Sequence, residues 1–340
     1  MNIPVQWRAI LIGCMPALFI LEPSAPAFAQ VVPPAQTFSQ VDTLGLPPAT
    51  ASQLKTSLEA HDYIAAEKRL LAEINRDPHS SEAARLLQFL GGVYFLDHDA
   101  WGAAVAWNKA KTIAPLPPAV AFSLVMAYIR IGHSDWARKE LETLTRENGE
   151  NALYPYWLGR LDYDADQYDH AILRFQKAIQ LSPDMAQAYN NLGLCYFRQN
   201  HKRLAVVNYQ KAIDLNLKSG HLDAWPYLNL AITERSLNRQ SDAERHLHEA
   251  IRLDPHLAVA YFQLGNILEE SGKTKDAIGQ FQAAARTDPD YAEPHYALAH
   301  IYQKLGDAAD AKREIQSYLK IHSLSRSPVS RSPTPSYPDP

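Results

Sequence analysis

Residues 261–289 read YFQLGNILEESGKTKDAIGQFQAAARTDP, and the spacing within this stretch decides the fold. Tyr261, Leu264, Gly265 and Leu268 recur at intervals of three and four, which places them in one stripe on a first helix. Ala277, Phe281 and Ala284 form the matching stripe on a second helix. Gly272 breaks the first helix, and Asp288-Pro289 ends the second. Small side chains at Gly265, Ala277 and Ala284 allow a close approach, with Phe281 filling the space beside them. A helix of about 14 residues is roughly 21 Å long and unstable alone in water, so the pair requires further helices on which to bury its stripes.

Outward from this unit the pattern returns every 34 residues, with starts at Ala84, Pro118, Ala152, Ala186, Ala224, Ala258 and Ala292 and a four-residue insertion before Ala224. A degenerate eighth unit fits from about Leu46 to Pro78, starting near residue 47. Residues 188–200, AYNNLGLCYFRQN, are followed by Ala205, Tyr209 and Ala212. This succession of Leu-Gly, Tyr, Ala, an aromatic and Ala resembles the tetratricopeptide repeat closely. The resemblance implies an all-α fold, a right-handed superhelical solenoid of seven to eight antiparallel helix pairs over residues 49–321.

The flanks differ in composition. Residues 1–29 carry Arg8, run apolar from Ala9 to Leu21 and end Ala27-Phe28-Ala29, which reads as a signal peptide cleaved before Gln30. The apolar run is 13 residues long and contains Pro16, too short for the 20 or so residues of a membrane span. The expectation is a protein outside the cytoplasm, periplasmic or secreted, of an exported bacterial type. Leu11-Ile12-Gly13-Cys14 resembles a lipobox and offers the alternative of a membrane-anchored lipoprotein. Residues 30–48 read as a linker, and 322–340, with five prolines among serines, as a disordered tail. The tail is either a solvated end or a docking segment.

Thirty-three basic and 37 acidic residues give a net charge of −4, and cleavage before Gln30 would remove one of each, Arg8 and Glu22. Neither a general nucleic-acid surface nor a polybasic anchor is implied. Without Cys14, Cys195 has no partner within the chain and reads as a buried, inert thiol. No phosphate loop, His-Glu-x-x-His or Gly-x-Ser-x-Gly motif is present, so neither an enzyme nor a cofactor or metal is expected. Asp162, Asp164 and Asp166 begin like a calcium loop, but Gln167 and Leu173 replace its required Gly and Glu, and the three read as a solvated turn. His246 and His248, two apart on one helix, point to different faces.

Function then falls to the solenoid surface. The family resemblance implies that positions 2, 5, 9, 12 and 13 of each repeat face a concave groove. Over 35 such positions there are eight aromatics, Phe95, Phe122, Tyr156, Tyr163, Phe197, Trp225, Phe262 and Tyr296, against 10% in the whole chain. Arg85, Arg130, Arg160, Arg198 and Arg235 share these positions, as do Asn190 and Asn266, with the acids Asp164, Glu269, Glu270 and Glu293 toward the C-terminal side. Guanidinium groups interleaved with rings suit an extended acidic or carboxylate-bearing peptide of a protein partner. Asn191 and Asn229 match the position-6 asparagine of repeat domains that clamp chaperone C-termini, and of those related to the glycosyltransferase of intracellular proteins. The clamp lysine is missing, and Ser123, Trp157, Gln263 and Ala297 interrupt the asparagine ladder. The expected function is an exported protein-binding scaffold. Self-association, or an architectural place in an envelope complex, is the alternative, and an enzyme a distant third.

Overall fold

The computed structural model describes residues 41–325 and contains sixteen α-helices and no strand among them. They are α1 (Pro48–Glu59), α2 (Tyr63–Ile74), α3 (Ser81–Leu96), α4 (Ala100–Ile113), α5 (Pro118–Arg130), α6 (Ser134–Glu147), α7 (Leu153–Asp164) and α8 (Tyr168–Leu181). There follow α9 (Ala186–Arg198), α10 (Lys202–Ser219), α11 (Trp225–Ser236), α12 (Gln240–Leu253), α13 (Ala258–Glu270), α14 (Thr274–Thr287), α15 (Ala292–Leu305) and α16 (Ala308–Ser325). Odd helices are the first, and even helices the second, of each repeat. The readings of residues 1–29 as a leader, of Cys14 as a lipid site, of 30–40 as linker and of 326–340 as tail lie outside the described residues.

The turn between paired helices is built alike in all eight repeats. Position 15 holds His61, His98, Gly132, Asp166, Asn200, Asn238, Gly272 or Gly306, each left-handed with φ between 54° and 82°. One such residue reverses the chain within a few bonds, and its presence at His61 marks the unit near residue 47 as a true repeat.

Four of the pairs are closed by a contact between positions 8 and 24. A Cβ on Gly91, Gly159, Gly193 or Gly265 would lie 2.4–2.9 Å from the ring of Trp107, Phe175, Tyr209 or Phe281. These four rings are buried, and the absent side chain of glycine leaves the volume that they occupy. Where position 8 is larger, as at Val125 and Ala231, position 24 is the slimmer Leu141 or Leu247. The buried apolar residues gather in four successive groups along the chain rather than round one centre, as expected of a solenoid.

Consecutive helices pack throughout. The first helices α7, α9, α11 and α13 also touch one another in succession, whereas no contact of comparable extent joins successive second helices. First helices therefore line the short, inner side of the curve and second helices fan outward. The insertion before Ala224 extends α10 to 18 residues and ends it at left-handed Gly220.

Two boundaries shift. Val41 and Leu44, inside the stretch read as linker, are buried against α1–α4, because two apolar side chains are enough to cap the open end of the first repeat. At the other end α16 continues to Ser325, past residue 321. Asp162 also departs from the solvated-turn reading: it is buried, with Arg138 Nη1 2.6 Å from its Oδ1. Cys195 is buried, and burial pushes its thiol up to about 12. His246 points inward to Glu234, with Nδ1 2.6 Å from Oε2, while His248 is exposed.

Candidate peptide-binding groove

Of the aromatics, arginines and asparagines named for the groove, all lie on first helices, on the inner side of the curve, and thirteen of them divide into three classes. Arg130, Arg198 and Tyr296 are exposed. Tyr163, Phe197, Trp225, Arg235, Phe262 and Asn266 are half-buried. Phe122, Tyr156, Arg160 and Asn190 are buried.

Three of the buried four are not free to meet a ligand. The Phe122 ring packs on Tyr154 of the next repeat, with centroids 5.6 Å apart. Tyr156 accepts a hydrogen bond at 3.0 Å from Asn191 Nδ2, and Asn190 Oδ1 accepts one at 3.0 Å from Asn229 Nδ2. In both cases a position-6 amide reaches back to position 5 of the preceding repeat. Helical spacing identified the inner face correctly; it carried no information on how closely the next first helix would approach. Asn191 and Asn229, noticed only as fragments of other proteins' binding patterns, serve here as cross-repeat ties.

The arginines differ in what they hold. Arg130 places its guanidinium 5.1 Å from the centre of the Phe95 ring and its Nη2 3.3 Å from His98 Nδ1. Arg198 donates from Nε to the Tyr168 hydroxyl at 2.9 Å and lies 3.5 Å from Asp166, whose carboxylate also accepts from Tyr168. Arg235 donates to Gln263 Oε1 at 2.7 Å and pairs with Glu270 at 3.2 Å. His98, Tyr168 and Gln263 were not singled out from sequence, since each joins the inner surface only through the neighbouring repeat.

Arg160 is the exception. It is 8% exposed, and among the described residues it makes neither a hydrogen bond nor an ion pair; its Nε is buried without an acceptor. Its guanidinium lies 5.9 Å from the Trp157 ring centre, and the Trp157 indole N–H is likewise buried and unsatisfied. Two orphan donors thus sit one turn apart on α7. Burial raises the pKa of Asp164, on the following turn, and the charge of Arg160 opposes that rise. Burial also pushes Tyr163 up to about 12, against the lowering effect of Arg198.

Models described as TPR repeat match residues 159–200 and 265–306, and models described as tetratricopeptide repeat match 184–256 and 292–321. Among curated proteins, the peroxisomal targeting signal receptor of Candida glabrata is 29% identical over 121 residues, 36% of this chain and 20% of that protein. Protein O-mannosyl-transferase TMTC3 of Homo sapiens is 30% identical over 102 residues, 30% of this chain and 11% of that protein. The chain therefore spans a fifth or less of these two relatives' lengths. Among solved structures, an APC/C hetero-tetramer, Cut9-Hcn1, aligns at TM-score 0.58 and 17% identity, over 84% of this chain and 52% of that one. The structure of pilF from Pseudomonas aeruginosa aligns at TM-score 0.53 and 14% identity, over 61% of this chain and 97% of that one. At such identities the structural likeness concerns the fold alone. With the 34-residue period, the repeated left-handed turn and the helix-pair architecture already in place, these matches make the chain a member of the tetratricopeptide-repeat family.

Proposed function

We propose that the protein is a non-enzymatic scaffold that holds an extended, acidic or carboxylate-bearing peptide of a partner protein in its inner groove, anchored at Arg160. The observation that carries this reading is the buried Arg160 Nε without an acceptor, on a side chain that makes no ion pair among the described residues, beside the unsatisfied Trp157 N–H. A buried donor left unpaired costs about 1–3 kcal/mol, and a carboxylate would remove that cost while satisfying both donors. Arg130, whose neighbours supply no carboxylate, is available to a second acidic group. Arg198 and Arg235 are engaged by Asp166 and Glu270 and contribute less. This narrows the band of arginines to its N-terminal half.

The test uses the full chain and a fluorescent array of extended peptides that differ only in carboxylate or carboxamide at each acidic position and terminus. Carboxylate peptides should bind the wild type with micromolar affinity, about −8 kcal/mol, and bind Arg160→Gln at least tenfold more weakly. Equal binding of the two peptide series would refute the reading. Export is part of the proposal and rests on the leader-like composition of residues 1–29. Mass spectrometry of protein from its own host should find an N-terminus at Gln30, whereas an acylated Cys14 would make it a tethered scaffold.

A further inference from the structure

We propose a second docking surface on the outer side of the solenoid, across α8 and α10, for an amphipathic helix of a partner protein whose flanks are acidic. The outer face of α12 is solvated in the ordinary way: the exposed Arg245 and Arg252 are paired with Asp242 and Glu249 at 3.3 and 2.8 Å. On α10 the outward stripe is different. Leu204, Val207 and Leu217 are 48%, 64% and 59% exposed, and Arg203, Lys211 and Lys218 on the same face make no ion pair among the described residues and outnumber the exposed Asp214, the one carboxylate on this helix. Three apolar side chains with three free cations beside them are a costly surface to leave in water, and the cations state the sign of what covers it.

The neighbouring second helix extends the surface. α8 presents Leu173, 63% exposed, on the same face as Lys177. Between α6 and α8 the fanning of the outer helices opens a cleft of about 350 Å³, walled by the cations Arg174 and Lys177 and floored by the pair of half-buried Arg138 and buried Asp162. Because Asp162 is already held at 2.6 Å by Arg138, it leaves the wall cations unneutralised. A planar anionic bilayer would touch only the crests of such a convex surface and would leave the cleft empty. A helix can lie along the cleft, insert an acidic side chain toward Arg174 and cover the leucines of the next ridge. With 18 residues, α10 offers about 27 Å for that contact. The surface shares no residue with the inner groove, although Asp162 at its floor belongs to α7.

The experiment places a photo-crosslinking residue at Val207 of the full chain in its own host, with a control at exposed Lys275 on the distant second helix α14. The expected result is a cross-link at Val207 alone, to a segment whose sequence is an amphipathic helix with acidic flanks. Its yield should fall at least tenfold when Lys211→Glu and Lys218→Glu are added, and stay unchanged with Arg160→Gln. Circular dichroism must show every variant folded. Adducts to lipid, to a second copy of the chain or to a segment without acidic flanks would overturn the proposal. So would equal yield at Lys275, no adduct, insensitivity to charge reversal, or charge-dependent sedimentation with vesicles of 70% phosphatidylcholine and 30% phosphatidylglycerol.

Discussion

Gly193 and Tyr209 share one volume: a Cβ added to the glycine would lie 2.6 Å from the tyrosine ring. Two helices are held at that separation by a ring entering the space where a side chain is missing. Gly193→Ala should cost about 2 kcal/mol through overpacking, and Tyr209→Leu a similar amount through the cavity left behind. Ala231 and Leu247 fill the same two positions in the next repeat, so the double substitution should cost less than the sum by about 1 kcal/mol or more. A double-mutant cycle in urea reads this directly, and strict additivity would contradict the shared-volume account.

Arg160 should trade stability for binding. Arg160→Met removes a buried donor without an acceptor and a charge that makes no ion pair among the described residues, so the free protein should gain about 1 kcal/mol while carboxylate peptides lose at least tenfold in affinity. Thermal unfolding with and without peptide checks both signs. A destabilised variant would mean that the guanidinium is structural.

The left-handed turn predicts a stabilising glycine. His98, at φ 61°, carries the strain of a β-carbon in that region, about 1–2 kcal/mol, offset by about 0.5–1 kcal/mol of extra chain entropy in a glycine variant. His98→Gly should therefore raise stability by about 0.5 kcal/mol, whereas Asn200→Gly should change little, because asparagine tolerates this conformation. The two shifts in denaturant midpoint, compared side by side, test the assignment.

Alkaline sensitivity follows from burial. Cys195 is raised by burial from 9.0 to about 12, and Tyr163 from 10.0 to about 12 with burial the main cause. Raised values favour the folded state while the groups are protonated, so the stabilisation is full below about pH 9 and is lost as pH rises toward 12. Urea midpoints should stay level to about pH 9 and then fall, and Cys195→Ala should delay the onset toward pH 10. The native thiol should also resist alkylation at pH 8 and react once the chain is unfolded.

What the sequence revealed depended on whether the cause was local. Gly265 with Phe281, the break at Gly272 and the buried Cys195 could be read because each depends on periodicity within one repeat. Phe122, Tyr156 and Asn190 were placed on the right face but taken as accessible, because their burial comes from Tyr154, Asn191 and Asn229 on the following first helix. Val41 and Leu44 were hidden in a proline-rich context that reads as linker. Arg160 looked like its neighbours in sequence. Only the partners of Arg198 and Arg235 across the repeats show that it alone of these three lacks an acceptor.

The unequal contact of inner and outer helices also has a mechanical meaning. First helices that touch in succession form an almost inextensible rail, while the second helices, lacking such contact, behave like the spread ribs of a fan. Bending such an object changes its outer spacing far more than its inner length. A helix wedged between α6 and α8 would therefore be accommodated by the outer spacing, with little change of length along α7. The molecule is in this sense stiff along one edge and compliant along the other.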